Sequence, residues 1–205
     1  MTNNGRDDLT DLELRLLGDL RGKRVLDLGT GIGSAAIAFA HQGAIVIALD
    51  TTDSLLARAR ARADEAEVKV EWRTGDLADL AFLRAESIDA AFSLSVAEVD
   101  DASRLFRQVQ RVLKPNGAFV FSYAHPMSLC VDTSGVVSRS YFDPGPIELE
   151  RDGESVRIHV RDVGEVFTEL GRAGFRVDTI LEPKPSTPGA RVPDTIVWRA
   201  RKEGA

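Results

Sequence analysis

The sequence is poor in the residues on which several kinds of site depend. Among 205 residues there is one cysteine, Cys130, so the chain cannot form an internal disulfide or a thiolate-rich metal site. None of its three histidines shares a ligand-spaced cluster with carboxylates, and we predict no catalytic metal. No apolar stretch approaches the roughly 20 residues that span a bilayer, and the first residues lack the basic and then apolar order of a signal peptide. We therefore expect a cytoplasmic chain without a membrane partner.

The chain also lacks an excess of positive charge. Lysine and arginine number 26 against 32 acidic residues, which gives a net charge of -6. A nucleic-acid partner is therefore unlikely, because affinity for phosphate backbones depends on clustered basic residues. The one basic run, Arg58 to Arg62, alternates with alanine and precedes several acids, a pattern that predicts a solvated helix face. The length suits one α/β domain over residues 1–205.

A glycine-rich run in the first quarter of the chain is the clearest motif. An apolar stretch, Val25 to Leu28, leads into Gly29, Gly31 and Gly33, and an alanine-rich helix pattern follows. Glycine tolerates positive φ and has no Cβ, so a ligand can approach the backbone closely. The dinucleotide fingerprint requires its third glycine at the sixth position, which Ser34 occupies here. The acid Asp27 in this run favours a nucleoside ligand that carries a cation.

Four later segments repeat the order of a buried strand followed by polar or small residues. They are residues 44–50, which end at Asp50; 70–77, with Asp76 and Leu77; 87–95, with Ser93; and 109–121, with the turn Leu-Lys-Pro-Asn-Gly. Together with the glycine run, these segments resemble the successive motifs of class I S-adenosylmethionine-dependent methyltransferases, in particular those that act on small molecules.

The resemblance implies a fold and a cofactor. The fold is a Rossmann-like, doubly wound sheet of seven strands in the order 3-2-1-4-5-7-6, with strand 7 antiparallel and helices on both faces. The cofactor is S-adenosylmethionine, which leaves as S-adenosylhomocysteine. In similar enzymes the acid after the second strand binds the ribose hydroxyls, and the acid after the third strand binds the adenine amino group. The residues expected to bind the cofactor are Asp27, Gly29, Thr30, Gly31, Gly33, Asp50, Thr51, Asp76, Leu77 and Ser93.

The acceptor site has no comparable motif. Residues 124–160 carry turn signals and a hairpin pattern across Arg-Asp-Gly, which predicts an insertion that acts as a substrate site or lid. His125 follows the fifth strand, at the edge where open α/β sheets bind ligands, and is a candidate general base. Its alternative role is a loop histidine bonded to backbone. The candidate substrate residues are Tyr123, Arg139, Tyr141 and Arg161, with ordinary core packing as the alternative for the aromatics.

The expected reaction is an in-line displacement, for which positioning and desolvation supply much of the rate. The acceptor is expected to be a small molecule, methylated on oxygen or nitrogen, and the chain a monomer or homodimer. The alternative is a non-catalytic protein that binds the cofactor or serves as a partner subunit. RNA or protein substrates are less favoured, since the fourth strand ends in Ser93-Leu94-Ser95 without the polar-Pro-Pro-aromatic motif of amino methyltransferases. Glu98 stands where many similar enzymes carry histidine.

Overall fold

A computed structural model describes residues 10–132, 134–143, 145–151, 154–185 and 189–204. The five α-helices are α1 Asp11–Leu17, α2 Ser34–His41, α3 Asp53–Glu65, α4 Ala102–Val112 and α5 Val163–Arg172. The nine β-strands are β1 Arg24–Leu28, β2 Ile45–Asp50, β3 Val70–Thr74, β4 Ile88–Ser93, β5 Leu113–Ala124, β6 Pro146–Arg151, β7 Glu154–His159, β8 Phe175–Leu181 and β9 Thr195–Lys202. Short 3-10 helices follow β4 and β5 at Val96–Glu98 and Ser128–Cys130.

Seven of the strands form one sheet in the order β3-β2-β1-β4-β5-β9-β8. The first five are parallel, and β9 runs antiparallel between β5 and β8. This is the predicted fold, with β8 and β9 as the sixth and seventh strands of the sheet. The chain order reverses between β1 and β4, so a crevice opens there at the carboxyl ends of the strands.

Apolar side chains on the two faces of the sheet form two separate clusters. Val25 and Leu26 are adjacent in β1, and both are fully buried, but they belong to different clusters because successive side chains in a strand point to opposite faces. One cluster lies under α1 and α2, and the other lies under α4 and α5. Both faces of β1 are thus covered, which explains why its apolar residues do not keep to alternate positions.

The predicted hairpin is present in the insertion. Strands β6 and β7 pair antiparallel, with Pro146 opposite His159, and form a separate two-stranded sheet. Asp152 and Gly153 of the predicted turn fall outside the described residues. None of the helices in the described part of the chain has the length and apolar character needed to cross a bilayer.

Two local details define the start of α4 and the first residues of β5. Asp101, and not the adjacent Asp100, is the N-cap of α4, where its carboxylate accepts the Arg104 backbone N–H at 2.8 Å. Near the start of β5, the positive φ of 63° lies at Asn116 and not at Gly117. Gly117 is required for a different reason, since a Cβ there would come within 2.8 Å of the Lys114 carbonyl oxygen.

Candidate functional site

A cavity of about 530 Å³ lies at the carboxyl ends of β1, β2 and β4. It occupies the crevice that the strand order creates. Eight of the residues expected from sequence to bind a cofactor line this cavity: Asp27, Gly29, Thr30, Gly31, Asp50, Thr51, Asp76 and Leu77.

The glycine loop is held against the end of β2. The N–H groups of Gly29 and Thr30 both donate to the Leu49 carbonyl, at 2.8 and 3.2 Å. Gly29 has a φ of 70°, and a Cβ placed on it would lie only 2.3 Å from the Cβ of Ser95. No side chain can stand at this position without displacing the loop that follows β4.

Asp50 connects the glycine loop to the start of α3. One carboxylate oxygen accepts the Gly31 N–H at 2.8 Å, and the other accepts the Thr52 N–H at 2.9 Å. The residue is only 6% exposed. Since each carboxylate oxygen has two lone pairs, both oxygens keep capacity for a ligand hydroxyl.

Asp27 is the most electrostatically perturbed group in the cavity wall. The pKa of its carboxyl is raised from 3.8 to about 7 by burial and by the charge of Asp50, against the opposing effect of a 2.6 Å hydrogen bond from the Thr30 hydroxyl. A buried carboxyl with such a pKa gains its charge readily when a cation comes to lie beside it.

Asp76 and Leu77 lie on the other side of the cavity, after β3. The Asp76 carboxylate accepts the Ala78 N–H at 2.8 Å, and Arg104 of α4 lies 3.6 Å from its second oxygen. Leu77 is buried and belongs to the core cluster under α4 and α5. The backbone around Leu77 is therefore anchored by core packing.

Gly33 and Ser93 were also expected to contact the cofactor, but they are absent from the cavity lining. A Cβ on Gly33 would come within 2.9 Å of both Ala59 and Trp72, so this glycine permits close packing of α2 on α3 and β3. The Ser93 hydroxyl points into the sheet, where it donates to the Leu28 carbonyl at 2.8 Å and accepts the Ser95 N–H at 3.0 Å. Its neighbours Phe92, Leu94 and Ser95 line the cavity instead.

His125, the candidate base, lies outside the cavity lining and is buried. Its Nδ1 accepts the Met127 N–H at 3.0 Å, which leaves Nε2 protonated and donating to the Glu182 carboxylate at 2.9 Å. Neither ring nitrogen then has a lone pair for a substrate proton. This geometry agrees with the alternative interpretation, in which His125 holds the loop after β5.

The four candidate substrate residues also lie outside the cavity lining, although Arg161 contacts its wall at Val99 and Asp100. One Arg161 nitrogen, Nη2, donates to both of those backbone carbonyls, each at 2.6 Å. Tyr123 ends β5, and its hydroxyl is buried. The Tyr141 hydroxyl accepts the Val163 N–H at the start of α5, at 3.4 Å. Arg139 is bound within the insertion, to the carbonyls of Asp143 and Gly145.

Several cavity residues were not anticipated from the sequence. The side of the cavity away from the glycine loop consists of Glu98 to Asp101, Arg104, and Ser155 to Arg157 of β7. The insertion thus reaches the cavity through one strand of its hairpin. Arg62, from the basic run expected to be solvated, donates to the Ile32 carbonyl at 2.8 Å and so supports the glycine loop. The position of Glu98 to Asp101 directly after β4 could have indicated these residues, whereas the hairpin pattern predicted β7 in a lid without showing which of its residues reach the cavity.

The described residues contain no group of three or more histidine, cysteine or acidic side chains placed to hold a metal ion. The residues that line the cavity offer carboxylates, backbone N–H groups and apolar side chains. Such a surface suits a ligand with hydroxyls, a positive centre and a flat apolar part.

Comparisons with known proteins agree with this description. A family model described as a methyltransferase domain matches residues 25–117. A curated protein from Xanthomonas oryzae pv. oryzae, named ubiquinone biosynthesis O-methyltransferase, is 37% identical over 105 residues, which cover 51% of this chain and 44% of that protein. This chain thus spans less than half the length of the curated relatives that it matches first.

Solved structures match over almost the whole chain. The S-adenosylmethionine-dependent methyltransferase of Mesorhizobium loti is 30% identical, with a TM-score of 0.78, and the match covers 93% of this chain and 95% of that one. A protein of Listeria monocytogenes described as a putative S-adenosylmethionine-dependent methyltransferase is 25% identical, with a TM-score of 0.77 and the same coverage.

Proposed function

The chain belongs to the S-adenosylmethionine-dependent methyltransferases, and from this premise we propose that it methylates an oxygen or nitrogen atom of a small-molecule acceptor. Oxygen is favoured, because the curated relatives that match this chain are named O-methyltransferases. The observation that carries the proposal is the cavity itself, in which Asp27, Asp50 and Asp76 surround a glycine loop at the switch point of the sheet.

These residues fit the cofactor implied by the family. Asp27 offers a negative charge to a cationic part, and the free lone pairs of Asp50 suit two ribose hydroxyls. Gly29 and Gly31 keep side chains away from the ligand, while Asp76 and the backbone of Leu77 are proposed to bind the adenine. The cofactor supplies a methyl group on a positively charged sulfur, which leaves as a neutral thioether.

The chain contributes positioning and exclusion of water. Strand β7 and the residues from Glu98 to Asp101 also line the cavity, and we propose that the acceptor binds between the hairpin and the cofactor. In this proposal residues 124–160 cover the site as a lid and belong to the same domain as the rest of the chain. His125 is given a loop-holding role, in line with its two occupied ring nitrogens.

The test is a transfer assay with methyl-labelled S-adenosylmethionine and a panel of phenols, alcohols, carboxylic acids and amines, read by mass spectrometry.

Asp50→Ala should weaken cofactor binding by about 1 to 3 kcal/mol in calorimetry, because two charge-assisted hydrogen bonds are lost. Asp53→Ala is the matched control, since Asp53 lies outside the cavity lining and accepts the Thr74 hydroxyl. If the chain binds the cofactor but transfers no methyl group to any class of acceptor, the non-catalytic alternative is favoured. If the chain does not bind the cofactor, both the methyltransferase proposal and that alternative are refuted.

The same assay decides the role of His125. If His125 were the general base, its replacement by glutamine would lower turnover roughly 100-fold and leave cofactor affinity unchanged. In the loop-holding role, His125→Gln instead lowers the stability of the fold, and turnover per folded molecule stays within a few-fold of the original.

The proposal also keeps the expected cytoplasmic location and a monomeric or homodimeric state. The expected location rests on the single cysteine and on the absence of a long apolar run in the sequence. Light scattering on the purified chain would determine the oligomeric state.

A further inference from the structure

Five buried side-chain polar atoms have no hydrogen-bond partner among the described residues; two are Arg139 Nε and Glu169 Oε2, and the other three are donors whose side chains interact. These three are Arg161 Nη1, Tyr123 Oη and Trp198 Nε1, which come from the segment before α5, the end of β5 and the middle of β9. Buried polar groups are nearly always paired, and an unpaired one costs about 1 to 3 kcal/mol or more if charged. Three together therefore call for an explanation.

Arg161 is the strongest of these observations. It is only 8% exposed, and its Nη2 is held by the Val99 and Asp100 carbonyls, which form the cavity wall. Its charge acts on Glu165, but no salt bridge joins the two side chains within the described part of the chain. A buried guanidinium without a counter-charge is costly, so an anion is the partner that this position favours.

Tyr123 and Trp198 surround the same point. The charge of Arg161 and the indole N–H of Trp198 both act on the Tyr123 phenol, although the indole is not placed for a regular hydrogen bond. Burial outweighs these effects and raises the pKa of Tyr123 above its usual value, so the phenol stays protonated and donates. Arginine and tryptophan side chains can only donate. All three groups are thus donors.

The neighbouring acidic side chain does not fill this role. Glu165 of α5 also acts on the phenol, but partial burial and the charge of Glu169 raise the pKa of its carboxyl and outweigh the charge of Arg161, which lowers it. Arg139, the other arginine expected to bind an acidic group, already pairs with Asp143 at 3.2 Å. Arg161 is therefore the arginine whose charge is left for a ligand.

We propose that Arg161, Tyr123 and Trp198 bind the carboxylate of the methyl acceptor, so that the acceptor is a small organic acid methylated at another atom. This inference rests on the proposed function and adds the substrate class. Arg161 Nη2 fixes the cavity wall while Nη1 holds the acid, which positions the acceptor beside the cofactor. A carboxylate can accept from all three donors at once.

The test compares matched acids and amides: 3,4-dihydroxybenzoate with its amide, and indole-3-acetate with its amide. Calorimetry measures their binding to the full chain saturated with S-adenosylhomocysteine. At least one acid should bind roughly tenfold or more tightly than its amide. Arg161→Gln should abolish this preference, Tyr123→Phe should reduce it several-fold, and Arg139→Gln should leave it unchanged.

Each result has a defined meaning. Equal binding of acids and amides, or no acid binding to the original chain, would overturn the inference, since ordered water alone could then occupy the three donors. Loss of the preference in Arg139→Gln but not in Arg161→Gln would overturn it as well. If Arg161→Gln fails to fold, Tyr123→Phe decides the matter. Cofactor binding and methyl transfer to neutral acceptors test the proposed function separately.

Discussion

We expect Asp27 to couple cofactor binding to pH, because its carboxyl lies in the cavity wall and has a pKa of about 7. Below that pH the carboxyl of the free protein is mostly protonated, and a cationic ligand must displace the proton. Affinity for S-adenosylmethionine should therefore rise about tenfold between pH 6 and pH 8, as the ionised fraction grows from about one tenth to nine tenths. Calorimetry at a series of pH values measures this change.

Asp27→Asn is the control for this pH dependence. The asparagine keeps the shape of the side chain but does not titrate, so the part of the pH dependence due to Asp27 should vanish and only that of the ligand's own ammonium group should remain. Affinity at pH 8 should fall to about the value that the original chain shows at pH 6 or below. An identical pH profile in both proteins would contradict the assignment of Asp27 to the cation.

Gly29 and Gly22 show two different reasons why a position requires glycine, a positive φ and a lack of space for a Cβ. Both have a φ of 70°, but a Cβ on Gly22 would meet nothing within 4 Å, whereas one on Gly29 would meet Ser95 at 2.3 Å. Gly22→Ala should cost about 1 to 2 kcal/mol in urea unfolding, the strain of the left-handed backbone. Gly29→Ala should cost about 1 to 3 kcal/mol more and weaken cofactor binding. The double variant Gly29→Ala, Ser95→Gly should recover part of both losses; no recovery would show that the clash is not the cause.

At the level of residues, the sequence predicts best where the backbone decides the position. Asp27, Gly29 and Asp50 follow directly from strand ends that must meet at one edge of a parallel sheet. Ser93 and His125 lie outside the cavity lining, where hydrogen bonds of their side chains to Leu28 and Glu182 hold them. Those partners are distant in sequence, and no local pattern reveals them.

At the level of elements, periodicity located the helices and strands well, while their ends depended on local hydrogen bonds. The alanine-rich pattern after Gly33 predicted a helix, which the structure shows as α2, Ser34–His41. Two adjacent acids precede α4, and only the structure distinguishes the cap, since Asp101 alone accepts an N–H of the first turn. The alternation in residues 146–159 predicted the hairpin, but its position over the cavity arises from tertiary contacts that the pattern does not encode.

The hairpin should respond to the ligand, because a two-stranded sheet is only marginally stable alone and β7 gains contacts across the cavity. Hydrogen exchange read by mass spectrometry should show the β7 amides exchanging about tenfold more slowly when S-adenosylhomocysteine is bound. The amides of β8, an edge strand of the main sheet away from the cavity, serve as the internal control and should not change. Equal exchange of β7 with and without ligand would contradict its role as a lid.

For the whole molecule, the central question is whether the two faces of the sheet unfold together. The strand order, including the antiparallel β9, was predictable from the resemblance, and it places every central strand between two apolar clusters. Strand β1 contributes Val25 to one cluster and Leu26 to the other. Loss of either cluster exposes one face of the shared strands, so neither cluster can persist alone. We therefore expect one cooperative unit, in agreement with the single domain expected from the sequence.

The two tryptophans allow a direct test of this cooperativity, since Trp72 packs against the cluster under α1 and α2, and Trp198 lies in the other. Trp198→Phe leaves only the first reporter, and Trp72→Phe leaves only the second. In each variant the urea midpoint from fluorescence should coincide with the midpoint from far-ultraviolet circular dichroism, as a two-state transition requires. A fluorescence midpoint that precedes the circular dichroism midpoint in one variant only would show that one face melts first. In that case the chain would consist of two units of different stability that share a sheet, and the expectation of a single domain would be wrong.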